Sequence, residues 1–347
     1  MARTYVEMIA FAAALAAVPA CLGGSLQGSG SDGGGGATGM NCASIRQPVV
    51  PAGLDVMILL DTSPSMNDSP LTGACAGGCG ADSKWAQTTT AIRSVVGQTD
   101  QAISWGLALL GDSDAAGCGG SGTLAWPVMP GAAGGIASAI NLRTSANGDL
   151  ASAGERLTSG AVNGAAEYFT SSADANLKLI VLVTDGVPSC MSDTAAPDGN
   201  DTASTVDAIA YATEHGFSTF VVGVATGGGP ADMVLAQMAL VSGVPRAGNP
   251  VYYPVASTSD LVTVLNVVTG SASCLFTIPE PPNADVSRFN IGVIVDGNEI
   301  PHDQTHANGW DYANFTETHL RVHGPSCDAI MNSPAPQVAV AFKCSQR

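Results

Sequence analysis

The apolar positions of this chain fall into short runs whose period changes many times. Val56, Met57, Ile58, Leu59 and Leu60 form a continuous apolar run bounded by turn residues, the pattern of a parallel strand buried on both faces. Trp85, Thr89, Ile92 and Val96 then recur at helical spacing. Residues 102–110 and 124–129 read as strands joined by a loop over 111–122, and residues 136–142 as a short helix. Leu157, Ala161, Ala165, Tyr168 and Phe169 mark a further helix, residues 179–183 a strand, and Val206, Ile209, Ala210 and Thr213 the next helix. Gly216 is its stop signal. A strand over 217–224, a helix over 231–241, a short strand over 251–255 and an amphipathic helix through Leu261, Val264, Leu265 and Val268 follow. Strands and helices alternate, which predicts an α/β fold with a doubly wound, mostly parallel sheet.

After residue 271 the pattern changes. Residues 274–278, 289–295, 319–322 and 338–343 read as strands separated by Pro, Asn and Gly turns, which predicts a small C-terminal β module. Pro301, Gly309 and Pro325 are expected to break any helix there. The boundaries that follow are residues 1–20, 21–41, 42–273 and 274–347.

Polar chemistry gathers where two of the buried strands end. Past Leu60 the chain reads Asp61-Thr62-Ser63-Pro64-Ser65, placing oxygen side chains at i, i+2 and i+4. In an extended or gently curling loop these three converge, and one carboxylate with two hydroxyls suits a hard cation such as Mg²⁺. A polar turn or helix cap is the bland account of the same string. The strand near residue 180 ends in Thr184-Asp185-Gly186, and between the two lies Arg156-Leu157-Thr158-Ser159-Gly160, a threonine at the head of a helical pattern. Asp61 and Asp185 both sit at carboxyl ends of strands, where open α/β sheets bind ligands.

These motifs, in this order, resemble the von Willebrand factor type A (VWA) domain over roughly residues 54–270. The resemblance implies a Rossmann-like fold carrying a metal-ion-dependent adhesion site. Its metal ligands would be Asp61, Ser63, Ser65, Thr158 and Asp185, with Thr144 and Ser159 as alternatives for the third loop. It implies Mg²⁺, or Mn²⁺ or Ca²⁺, and a protein or other partner whose carboxylate completes the coordination. It also implies that Asp61→Ala removes the ion and leaves the fold. The other readings are a structural envelope protein whose ion only staples loops, and an accessory subunit of an envelope complex.

The formal net charge of −17 argues against nucleic acid, whose binders need a basic face. No G-x-S-x-G, H-E-x-x-H or G-x-x-x-x-G-K-[ST] string is present, and His215 is the only histidine before residue 300. A serine nucleophile needs a base in reach, so the serines read as ligands and the chain as a non-enzyme. Asp112, Asp114 and Asp193 are loop carboxylates, solvated or around calcium.

Residues 8–20 are apolar but too short for a bilayer, and Val18-Pro19-Ala20-Cys21 resembles a bacterial lipobox with Cys21 lipidated. A plain signal peptide cut near Ala20 is the alternative. The Gly/Ser-rich stretch to residue 39 reads as a flexible linker. These features predict an exported protein, lipid-anchored in a bacterial cell envelope or secreted.

Nine cysteines minus Cys21 leave an even set, which suggests disulfides in an exported chain: Cys42, Cys75, Cys79, Cys118, Cys190, Cys274, Cys327 and Cys344. The VWA resemblance puts the domain's chain ends together, which implies Cys42–Cys274. Cys327 and Cys344 flank a turn and are expected to pair. Cys75, Cys79, Cys118 and Cys190 follow strands and are expected to pair at the rim, with Cys75–Cys79 and Cys118–Cys190 as one arrangement. Half a zinc site at Cys75 and Cys79 lacks a matching half. His302, His306, His319 and His323 read as surface histidines rather than a zinc site.

Overall fold

In the computed structural model the chain is described over residues 45–111, 122–151, 154, 156–189, 201–284 and 286–344. Two short strands come first, β1 (Ile45–Pro48) and β2 (Val50–Pro51). Then follow β3 (Leu54–Leu60), α1 (Lys84–Thr99), β4 (Ser104–Leu109), β5 (Thr123–Met129), α2 (Ala133–Leu142), α3 (Thr158–Ser171), β6 (Leu177–Thr184) and α4 (Thr202–Glu214). β7 (Ser218–Val224), α5 (Pro230–Leu240), β8 (Tyr253–Val255) and α6 (Thr258–Gly270) complete this part.

The fold is α/β with a mostly parallel central sheet, ordered β5-β4-β3-β6-β7-β8. Every neighbouring pair is parallel except β4 and β5, which no helix separates. Along β3 the side chains alternate between two cores. Val56, Ile58 and Leu60 pack with α1, α2 and α6, through Trp85, Ile92, Ile136, Ile140, Leu261 and Leu265. Met57 and Leu59 pack with α3, α4 and α5, through Val162, Phe169, Ile209, Leu235 and Met238. Both faces are covered, which is why β3 and β6 read as unbroken apolar runs rather than alternating ones. Each such side chain, fully buried, contributes about 1.5–3 kcal/mol.

Two helical glycines differ in what surrounds them. A Cβ on Gly97, exposed in α1, would meet nothing within 4 Å, whereas one on Gly135, in α2, would lie 2.0 Å from Cε2 of Trp126. Gly97→Ala is therefore expected to stabilise the protein by about 0.5–1 kcal/mol through helix propensity. Gly135→Ala is expected to destabilise it, because the indole must move. Urea denaturation of both variants checks this, and shifts of the same sign would contradict it.

The C-terminal strands are β9 (Leu275–Thr277), β10 (Val286–Val295), β11 (Asn298–Ile300), β12 (Gly309–Tyr312), β13 (His319–His323) and β14 (Val338–Cys344), with α7 (Gly324–Asn332) ahead of the last. They form two antiparallel sheets, β1-β14-β10-β11 and β12-β13-β9-β2. The chain thus enters through these sheets, runs through the central sheet and returns to them. The two share one core, including Val49, Phe276, Val293, Trp310, Leu320, Val340 and Phe342. Pro325 does not break a helix: it lies in the first turn of α7, where its missing N–H has no partner to lose.

Two disulfides fall within the described residues, Cys75–Cys79 and Cys274–Cys327. The second corrects two expected pairings. Cys274 is bonded to Cys327, so neither Cys42–Cys274 nor Cys327–Cys344 forms. The reason is local: α7, invisible in the hydrophobic pattern, sets Cys327 beside the start of β9, with Cα atoms 5.7 Å apart. Cys21, Cys42, Cys118, Cys190, Asp112, Asp114 and Asp193 lie outside the described residues.

Candidate functional site

The strand order reverses between β3 and β6: the chain steps from β3 to β4 on one side, and β6 flanks β3 on the other. Asp61 directly follows β3, and Asp185 directly follows β6, on adjacent parallel strands. Their backbones are joined as well, since the Asp61 N–H donates to the Val183 carbonyl at 2.9 Å. Both residues are buried.

The loop after Asp61 curls as its sequence suggests. The Ser63 N–H donates to Asp61 Oδ1 at 2.7 Å, and Ser63 Oγ and Ser65 Oγ lie 3.2 Å apart. Ser65 Oγ donates to Asp185 Oδ1 at 2.9 Å, joining the two motifs across 120 residues. Pro64 then opens a 3-10 turn over Pro64–Asn67. Thr62 faces the neighbouring strand, its Oγ1 exchanging hydrogen bonds with the Gly111 backbone at 3.2 and 3.3 Å. Thr184 Oγ1 donates to Asp61 Oδ2.

Asp61, Ser63, Ser65 and Asp185 are therefore brought together. Thr158 is buried at the first position of α3, but among the described residues no hydrogen bond ties it to these four. The alternatives to it are engaged elsewhere. Thr144 Oγ1 accepts from Trp85 Nε1 at 3.0 Å, and Ser159 Oγ donates to Asp201.

Two residues at the centre of the site were not foreseen. Arg156 Nε donates to Asp61 Oδ2 at 2.8 Å, and its Nη2 donates to Asp185 Oδ1 at 2.6 Å and to Ser65 Oγ. Lys84 Nζ donates to Asp185 Oδ2 at 2.9 Å. Burial alone would lower the Arg156 pKa, but Asp61 and Asp185 raise it above the ordinary guanidinium value. Burial would likewise raise that of Asp185, and Arg156 and Lys84 overcome this and hold it below the usual carboxylate range.

Neither cation is held loosely. The Arg156 backbone is fixed by Ser189, whose Oγ accepts its N–H at 3.2 Å and whose N–H donates to its carbonyl at 3.3 Å. Nearby, the Gly154 N–H donates to the Thr62 carbonyl at 2.9 Å. Lys84 is the first residue of α1, capped by Ser83, whose side chain accepts from the Ala86 N–H. A cation at a helix N-terminus opposes the helix dipole by about 0.3–1 kcal/mol. Its pairing with a buried carboxylate outweighs that.

The donor set can be tested against a divalent ion. Asp61, Ser65 and Asp185 are the oxygens such an ion would want, yet all four carboxylate oxygens already accept hydrogen bonds. Two carboxylates and two cations sum to zero charge. Unit charges about 4 Å apart interact by about 4 kcal/mol at an effective dielectric of about 20. For a divalent ion entering among them, repulsion from the two cations offsets the attraction of the two carboxylates, so the net charge that would hold it is absent. As arranged, the residues do not fit a resident divalent metal. Among the described residues, no group of three or more His, Cys, Asp and Glu side chains is set to hold a metal ion.

The histidines regroup across their sequence pairs. His302 and His306 both bond the carboxylate of Asp311, at 2.8 and 3.0 Å, and His323 stacks on His306 with ring centres 4.2 Å apart. His319 is not a surface residue: it is buried, with Nε2 2.9 Å from the Ala175 carbonyl.

No protein-family model matches the sequence, and no curated protein matches it. Solved structures do. The chain is similar to the pilus adhesin SpaC from Lactobacillus rhamnosus GG at 13% identity and a TM-score of 0.47, over 85% of this chain and 40% of that one. Proximal thread matrix protein 1 from the mussel byssus, in a form with a zinc-occupied MIDAS motif, matches at 16% identity and a TM-score of 0.40, over 67% of this chain and 50% of that one. The VWA domain of SpRpn10 matches at 13% identity and a TM-score of 0.40, over 62% of this chain and 95% of that one. The chain spans between two fifths and one half of the first two proteins.

Proposed function

We propose that this is an exported cell-envelope protein whose VWA-type part, from β3 to α6, binds a protein partner on the rim around Asp61 and Asp185. Residues 1–20 would export it and a lipid on Cys21 would anchor it, with the linker to residue 41 as spacer and residues 274–347, together with β1 and β2, as a supporting β module. The observation that carries the reading is the meeting of the β3–α1 loop, the segment ahead of α3 and the end of β6 where the strand order reverses. Two disulfides support an oxidising compartment. The hydroxyls of Ser63 and Ser65 bond each other, and that of Ser65 donates to Asp185, an arrangement for fixing a loop rather than attacking a substrate.

The rim also has an apolar anchor. Leu71, 91% exposed, stands on the β3–α1 loop. That loop is tightened by the Ser69–Gly73 backbone pair and the Cys75–Cys79 bond. A rigid loop presenting one large apolar side chain suits a protein surface better than a small ligand.

The reading is tested by crosslinking the anchored protein in its own envelope and comparing wild type with Leu71→Glu. The variant should melt at the wild-type temperature and lose a specific crosslinked partner. Identical crosslinks from both would remove the rim from consideration. A second reading, a structural protein whose charged site only ties loops together, is favoured by the dense ion pairing of Arg156 and Lys84. It predicts that same identity of crosslinks.

A further inference from the structure

We infer that Arg156 and Lys84 are the cation of this site, built into the chain in the place a divalent metal would take, so that the site works without one.

Three independent features of the chain support this. The first is saturation. Asp61 Oδ1 accepts from the Ser63 N–H, Asp61 Oδ2 from Arg156 and Thr184, Asp185 Oδ1 from Arg156 and Ser65, and Asp185 Oδ2 from Lys84. A magnesium ion needs near-octahedral oxygen ligands at 2.0–2.1 Å. Here it would have to displace a guanidinium and an ammonium to find them.

The second feature is space. Gly186 follows Asp185, and a Cβ there would lie 2.9 Å from Cζ of Arg156 and 3.0 Å from both Nη atoms. Gly186 is not among the glycines with positive φ, so its backbone does not demand glycine. What the missing Cβ provides is room for the guanidinium.

The third is scarcity. The chain has 12 Lys and Arg against 29 Asp and Glu. Two of those few cations meet at one point, Lys84 buried and Arg156 partly buried, one set against a helix dipole and the other fixed through its backbone. A planar guanidinium can bond two carboxylates and a hydroxyl at once, as Arg156 does, which is the bridging task of an ion between these loops.

The inference is separate from the partner reading, since an ion can be measured with no partner present. The decisive experiment is a Mn²⁺ titration of the full chain, stripped with chelator, read by electron paramagnetic resonance and repeated with Mg²⁺ by calorimetry. Wild type is expected to show no saturable site and no change in melting temperature with either ion or with chelator. The double variant Arg156→Gln with Lys84→Met should gain a single saturable site that Mg²⁺ and Mn²⁺ compete for, or fold only when the ion is added. Stoichiometric ion binding by wild type would overturn the inference. So would a folded double variant that binds no ion, since the two side chains would then not be what stands in the metal's place. If the double variant fails to fold in either condition, the wild-type titration decides alone. The crosslinked partner of the rim should survive chelator, and its loss on Leu71→Glu with no ion bound would leave this inference intact.

Discussion

Asp185→Ala is expected to destabilise the protein by about 3–5 kcal/mol, the usual effect of breaking a buried ion pair from one side. The Asp185 side chain is 1% exposed and accepts from Arg156, Lys84 and Ser65. Removing it strands Lys84, whose side chain is 11% exposed, and leaves Arg156 with Asp61 as its one carboxylate partner at the site. The loss therefore comes less from the missing attraction than from a buried ammonium with no carboxylate. That account makes a second demand. Lys84→Met in the Asp185→Ala background should recover part of the loss, because the stranded charge is gone, so the two effects will not add. Urea denaturation of the two single variants and the double one gives the coupling directly. A loss below about 1 kcal/mol for Asp185→Ala would mean that water reaches the site and screens the pair as at a surface. The same reasoning revises the expectation that Asp61→Ala leaves the fold intact. Asp61 anchors Arg156, Thr184 and the turn at Ser63, so its loss should also cost stability.

The parts of the fold that were legible are those in which side-chain periodicity alone fixes the element. β3 and β6 are buried on both faces and read as apolar runs; α1 reads from Trp85, Ile92 and Val96, all fully buried. The motif spacing also placed Asp61, Ser63, Ser65 and Asp185 together, because strand ends gather at one edge of a parallel sheet. What the pattern could not show is what fills the space between them. Arg156 lies two residues ahead of Thr158, and Lys84 directly ahead of Trp85, but no local rule says that a cation in a loop will point inward. The one available signal was the rarity of cations in so acidic a chain. The two antiparallel sheets were half legible for a different reason. β11 and β12 are only three and four residues long, too short to show a period, and α7 buries only Ile330. β2 is two residues long, and it finds its partner in β9 some two hundred residues on, which no local pattern encodes.

Replacing both cysteines of the Cys274–Cys327 bond by serine is expected to cost roughly 4 kcal/mol, from the chain-entropy effect of a closed loop of this length. The bridge spans 53 residues. It holds α7, which has little apolar area of its own, against β9, the inner strand between β13 and β2. Cys274 also sits at φ 51°, a left-handed conformation that a non-glycine residue adopts only when its surroundings enforce it. The Val322 N–H donating to its carbonyl at 3.0 Å and the bond to Cys327 are what enforce it. The Cys75–Cys79 bridge spans only 4 residues, so the same effect gives it roughly 2 kcal/mol. The two double-serine variants should therefore rank clearly in denaturant, with the Cys274/Cys327 pair the weaker protein. Loss of its bridge should expose α7 to protease at its N-terminal turn while the central sheet stays protected in hydrogen exchange. An equal or larger loss for the Cys75/Cys79 pair would mean that the long loop is already constrained in the unfolded chain. Protection lost throughout both parts at once would mean instead that the antiparallel sheets and the central sheet unfold as one unit.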